Sequence, residues 1–248
     1  MFLNIGKLKE EIRIRHYSIR TEEAYVYWVK RFAKFNNTVS PVFYKPQHID
    51  KFLTYLAIAE KVAPATQNQA LNALVFYYNN VLKIRFPDEL QFARAKHQQK
   101  LPVVLTRAEV TNLFQHLQGR HWLMAGLLYG SGLRLMECVR LRVKDLDLDH
   151  KCIIVRDGKG HKDRIVTLDD SLIPHLKVQL NLARNIFDID VASGFGEVYL
   201  PYALEKKYPN ACREWGWQYV FPAEKRSLDP RSNKERRHHI GEQTLQRA

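Results

Sequence analysis

The sequence predicts a mainly α chain with one small β-sheet, and three observations carry that reading. Apolar residues return at helical spacing through most of the first 85 residues. A stretch carrying Arg94, Lys96, His97 and Lys100, with few apolar side chains, then interrupts the pattern. Beyond it the helical period resumes, broken by two β-branched runs that flank a glycine and lysine turn. The expected organisation is a helical domain over 1–85, a basic linker over 86–102 and an α+β domain over 103–248.

In the first domain, Phe2, Ile5, Leu8 and Ile12 mark one amphipathic helix. Thr21 is placed to cap a second, with Glu22 and Glu23 in its first turn and Tyr25, Trp28, Val29, Phe32 and Phe35 on its apolar face. Pro46 opens a third through Ile49, Phe52, Leu53 and Leu56, and Ala65 to Leu82 forms a fourth through Leu71, Leu74 and Tyr78. The aromatic stripe reads as core before it reads as a base-stacking surface.

The 248 residues carry a formal net charge of +13, which points to an acidic polymer partner and most simply to nucleic acid. No apolar run is long enough for a membrane helix, and the N-terminus becomes charged too soon for an export signal. Cys138, Cys152 and Cys212 form neither a disulfide framework nor a zinc pattern, so a cytoplasmic setting is expected. In the linker, Lys96 and Lys100 read either as a solvated hinge or as a strap along a phosphate backbone.

Thr106 and Glu109 form a capping-box pattern that starts the second domain. An apolar helix from Trp122 to Tyr129 then meets Gly130-Ser131-Gly132, and Arg134 opens a new helix with Glu137 beside it. A guanidinium at a helix start suits a phosphate, since its rigid fork matches two non-bridging oxygens. A solvated arginine at an ordinary helical corner is the other reading. The aspartates of Lys144 to His150 do not make an EF-hand, because His150 and Arg156 stand where glycine and glutamate are needed.

Cys152 to Arg156 and Arg164 to Leu168 read as a β-hairpin with the basic tip Gly158-Lys159-Gly160-His161-Lys162. It is not a P-loop, lacking the upstream glycine and the following Ser or Thr. Lys159 is either a solvated loop lysine or an ammonium delivered to a groove or a scissile phosphate. A helix from Ser171 to Phe187 follows, with Pro174 in its first turn. Trp215-Gly216-Trp217 either packs a small core or stacks on unpaired bases. Lys225 to His239 is a basic loop ending in Arg236-Arg237-His238-His239, whose adjacent histidines make a poor metal site.

Taken together, the G-x-G-L-R helix start, Glu137, the G-K-G-x-K hairpin and the basic two-part chain resemble the tyrosine recombinases. The segment from Gly194 to Pro222 and the Arg-Arg-His-His run are similar to the integron integrases, with an insert over about 188–222. The resemblance implies a four-helix SAM-like core-binding domain and a partial catalytic domain. It implies metal-free, cofactor-free transesterification through a phosphotyrosine, with Arg134 and Lys159 catalytic and Glu137 supporting. DNA contacts are then expected from Lys96, Lys100, Lys162, Trp217, Pro230, Arg236, Arg237, His238 and His239. The expected partners are folded single-stranded cassette-site hairpins, the duplex integron site and further copies of the chain in a tetramer. The family's H-x-x-R box, a further His or Trp and the nucleophilic tyrosine are expected beyond residue 240, and residues 241–248 contain none of them. The expectation is therefore a chain truncated at its C-terminus that binds DNA without cleaving it. A regulatory DNA-binding protein on the same scaffold is the alternative.

Overall fold

The computed structural model describes residues 3–36, 45–87, 89–96, 101, 103–158, 162–201 and 203–248. Lys100 and Lys159, both expected site residues, lie outside the described residues. The chain divides into two compact units, Met1–Pro102 and Val103–Ala248.

The first unit holds α1 (Ile5–Ile14), α2 (Ile19–Phe35), α3 (Pro46–Ile58) and α4 (Pro64–Phe76), the last continuing in π-helical turns through Tyr77–Leu82. The predicted apolar faces meet in one core, where Leu8, Ile12, Phe32, Ile49, Phe52, Leu53, Leu74 and Tyr77 are almost wholly buried. Each such side chain contributes about 1.5–3 kcal/mol. Helices this short are marginal alone, so that packing holds them. The cap of α2 is Ser18 rather than Thr21. Its Oγ accepts the Thr21 N–H at 3.1 Å, which puts Thr21 inside the first turn as the capped residue.

The start of the expected linker is anchored on this core. Phe86, Leu90 and Phe92 pack against it. The buried Gln67 amide donates to the carbonyls of Leu53 at 2.9 Å and Ala93 at 2.8 Å, and its oxygen accepts from the Ala95 N–H at 2.9 Å. A buried amide with both ends satisfied ties residues 93–95 to α3 and α4. Lys96, the next residue after Ala95, is exposed.

The second unit begins with α5 (Arg107–His116), whose predicted box forms: the Thr106 N–H donates to Glu109 at 2.7 Å and the Glu109 N–H to Thr106 Oγ1 at 3.3 Å. Then come α6 (Gly119–Ser131), α7 (Leu135–Val139), β1 (Leu146–Asp147), β2 (Cys152–Val155), β3 (Arg164–Thr167) and α8 (Ile173–Ala192). The chain closes with α9 (Leu204–Lys207), β4 (Ser227–Leu228), β5 (Glu235–Arg236) and α10 (Glu242–Gln246). The strands β1, β2 and β3 form an antiparallel sheet in that order, with Ile153 opposite Val166 and Val155 opposite Arg164. Ile153 and Val155 face the core with Leu127, Leu176 and Phe221, while Ile165 on the other face is exposed.

Helix α8 outruns its predicted end at Phe187, because Ala183, Phe187 and Asp190 keep one face buried. The first residues of the expected insert, from 188, therefore belong to α8. The rest of that segment builds a small core of its own from Val198, Leu200, Ala211, Cys212 and Tyr219. Among the described residues no His, Cys, Asp or Glu group is arranged to hold a metal ion, and no helix is long and apolar enough to cross a membrane.

Candidate phosphate clamp and base-contact face

The break between α6 and α7 is made by a single glycine. Gly132 caps α6 with φ +61°, a left-handed conformation that costs glycine little, whereas Gly130 stays within the helix. Two residues later the backbone is extended at Arg134, whose N–H donates to Glu137 Oε2 at 2.8 Å. The Arg134 guanidinium returns to the same carboxylate, Nη1 to Oε1 at 2.8 Å. Its side chain stays about half exposed, and Nε and Nη2 have no partner among the described residues. A cation with one edge fixed and the other open is suited to a phosphate.

Glu137 is held from a second side as well. Arg164, the first residue of β3, donates Nη1 to Oε1 at 2.8 Å and Nη2 to Oε2 at 2.6 Å. The Arg164 bonds and those from Arg134 outweigh burial and hold the Glu137 carboxyl at a pKa of about 2. It is charged throughout the physiological range. No H-x-x-R box is expected within this chain, yet His161-Lys162-Asp163-Arg164 at the start of β3 has that spacing. In space that arginine belongs to Glu137, and His161 lies outside the described residues. Lys162 is exposed beside the hairpin.

A second group of expected residues gathers around Tyr219. The His238 ring stacks on it at 5.7 Å and 18°, and His239 meets it edge-on at 5.4 Å. His239 Nδ1 lies 2.7 Å from the Ile240 carbonyl, which only accepts, so the proton sits on Nδ1. Burial pushes His239 down to about 4, and burial also lowers His238. Both rings are neutral at physiological pH, and the bare His239 Nε2 is an acceptor. Pro230 is exposed in the turn between β4 and β5.

Arg236 and Arg237, expected on DNA, are committed inside the protein. Arg236 is only 2 % exposed and donates to Glu205 at 2.8 Å. Arg237 grips both oxygens of the buried Asp190 and also donates to the carbonyls of Ala223 and Glu224. Trp217 is half-buried, and the Lys144 ammonium lies 2.8 Å from the centre of its ring, so one stacking face is taken by a cation. Arg142 binds the Trp217 and Tyr199 carbonyls at 2.5 and 2.7 Å and fastens this segment to the chain that follows α7.

Comparison with known proteins places both units. Residues 5–88 match the family described as "Phage integrase, N-terminal SAM-like domain", and residues 103–246 match the "Phage integrase family". An "Integrase/recombinase" of Escherichia coli is 47% identical over 244 residues, covering 98% of this chain and 72% of the relative. The "Tyrosine recombinase XerA" of Thermococcus kodakarensis is 31% identical over 168 residues, covering 66% of this chain and 56% of that protein. Among solved structures, the Tn1549 transposon integrase in complex with transposon right end DNA superposes with a TM-score of 0.55 at 16% identity, over 90% of this chain and 72% of that one. That last likeness speaks to the fold.

Proposed function

The chain belongs to the phage integrase family of site-specific tyrosine recombinases, and on that premise we propose that it serves the recombination of integron gene cassettes. The observation that carries the reading is Arg134, held on one edge by Glu137 and open on the other. Phosphoryl transfer gathers negative charge on the non-bridging oxygens, and an arginine fixed beforehand stabilises that charge without reorganising. Lys159, next in sequence to Gly158 on the hairpin, is the proposed proton donor to the departing 5′-oxygen.

The cassette sites are proposed to be read as folded single-stranded hairpins with extrahelical bases, and the integron site as duplex. His238 and His239, neutral and set against Tyr219, offer flat faces and an acceptor to a base edge, with Pro230 exposed on the neighbouring turn. Stacking contributes roughly 1–3 kcal/mol per base, enough to separate bulged from plain DNA. Exposed Lys96 and Lys162 supply contacts to the backbone, and copies of the chain are proposed to assemble on DNA as a tetramer.

Binding is tested with fluorescent cassette-site hairpin DNA and the matching plain duplex. The expected result is tighter binding to the hairpin. Equal affinity for hairpin and duplex overturns the cassette-site reading.

A further inference from the structure

We infer that Arg164 is a positioning residue for the phosphate clamp, acting on Arg134 through the carboxylate of Glu137 that the two arginines share. The inference rests on Arg134 being that clamp.

Arg164 occupies the last paired position of the β2–β3 hairpin before its tip, opposite Val155. From there it binds both oxygens of Glu137, at 2.8 and 2.6 Å. Arg134 meets the same two oxygens, through Nη1 and its backbone N–H, each at 2.8 Å. One carboxylate therefore carries four bonds from two arginines, and a displacement of that carboxylate moves the partner of both. Arg164 fixes where the Glu137 oxygens lie, and those oxygens fix the inner edge of Arg134. The open edge that faces a phosphate is aimed from the hairpin.

The base of the hairpin is fitted to this arrangement. Gly158 donates its N–H to the Lys162 carbonyl at 3.2 Å, and the Asp157 N–H donates to Asp163 at 2.9 Å. A methyl group at position 158 would come within 2.9 Å of the Lys162 carbonyl oxygen, 3.1 Å of Arg164 Nη1 and 3.4 Å of Glu137 Oε1. The space a side chain would need is filled by the bridge itself. A backbone oxygen cannot yield as a flexible side chain does, so any residue larger than glycine displaces the hairpin base or the Arg164 fork.

The test reads one phosphate at a time. In cassette-site hairpin DNA, single phosphates are replaced in turn by uncharged methylphosphonates, and affinity is measured for the wild-type chain, Arg134→Ala and Arg164→Met. The Arg134 phosphate is the position whose substitution weakens wild-type binding roughly tenfold, as loss of a charge-assisted bond does, and no longer matters in Arg134→Ala. The expected result is that Arg164→Met shrinks the penalty at this one position and leaves the penalties at other phosphates in place. A wild-type penalty there in Arg164→Met, or a uniform fall at all positions, overturns the inference while leaving the clamp intact. If Arg134→Ala erases no single-position penalty, the clamp falls and the inference with it. Should Arg164→Met melt below the assay temperature, Arg164→Lys and Gly158→Ala give the same readout. Lysine keeps the charge but cannot span both oxygens, and Gly158→Ala keeps every charged group while displacing the hairpin base that carries the fork, or the fork itself. Both are expected to shrink the same penalty, and a wild-type penalty in both overturns the inference.

Discussion

Arg237 closes on Asp190 with two bonds, Nε to Oδ2 at 2.5 Å and Nη2 to Oδ1 at 2.7 Å, and so ties the residue before the histidine pair to the last turn of α8. Arg226 adds a third bond to Oδ1 at 2.9 Å while lying over the Phe195 ring. Burial works against the Asp190 charge, but the two arginines outweigh it and keep its pKa below the usual carboxylate range. Asp190→Ala leaves the largely buried Arg237 guanidinium without an anion while Arg226 keeps Glu235, so a loss of about 3 kcal/mol is expected. Denaturant unfolding measures it. A loss below about 1 kcal/mol would mean the group behaves as a surface pair.

The histidines set a pH dependence with a definite sign. Unfolded, His239 takes a proton at its ordinary value of 6.5, whereas folded it resists protonation until about 4. Between those values the unfolded chain binds more protons, so stability is complete above 6.5 and falls as pH drops toward 4. His238 shifts in the same direction for the same cause, burial. His239→Gln is expected to flatten the part of the decline that histidine contributes. Chemical unfolding at several pH values across this window checks it, and an unchanged slope would count against a buried neutral ring.

Neutral histidines also predict a separation between selectivity and salt. His239→Ala should lower the preference for hairpin DNA with extrahelical bases yet leave the salt slope of binding unchanged, because no charge is removed at about pH 7. Lys96→Ala, which removes an exposed ammonium, should lower that slope by about one if it meets a phosphate. Arg236→Gln should cost stability and not slope, since its charge is spent on Glu205. Affinity titrations across a salt series distinguish the three.

Trp217 is the residue whose expected role the structure narrows most. Lys144 covers one face of its ring, and burial lowers the Lys144 pKa to about 8. Any base must use the opposite face or displace the ammonium. Trp217→Ala is expected to reduce the preference for hairpin over duplex by roughly the tenfold that one stacked base supplies. An equal loss on both DNAs would make Trp217 a packing residue only.

The helices up to α8 were legible because their apolar spacing is a local property, and so was the hairpin, whose two β-branched runs pair across a short connection; the short α9 and α10 carry no such period. Arg134 and Glu137 were legible as a pair for the same reason, standing three residues apart at one helix start. The cap of α2 was misplaced by one turn, since Ser18 and Thr21 are equally good caps in letters and only the position of the first buried turn chooses between them.

By itself, then, the sequence determined the class of the fold, its two-part division, its basic character and the arginine at the glycine break. The tertiary structure alone decided which charges are free. Arg164 lies 27 residues from Glu137, and Arg237 lies 47 from Asp190. Nothing local distinguishes these arginines from Arg134 or from a solvated loop residue. A guanidinium in water is open to any phosphate, but one closed on a buried carboxylate is held by that carboxylate's need for a partner, because an unpaired buried charge costs far more than the pair returns. That need arises only when the chain brings distant segments together, and it is what separates an arginine with an open edge from those that hold the site in shape.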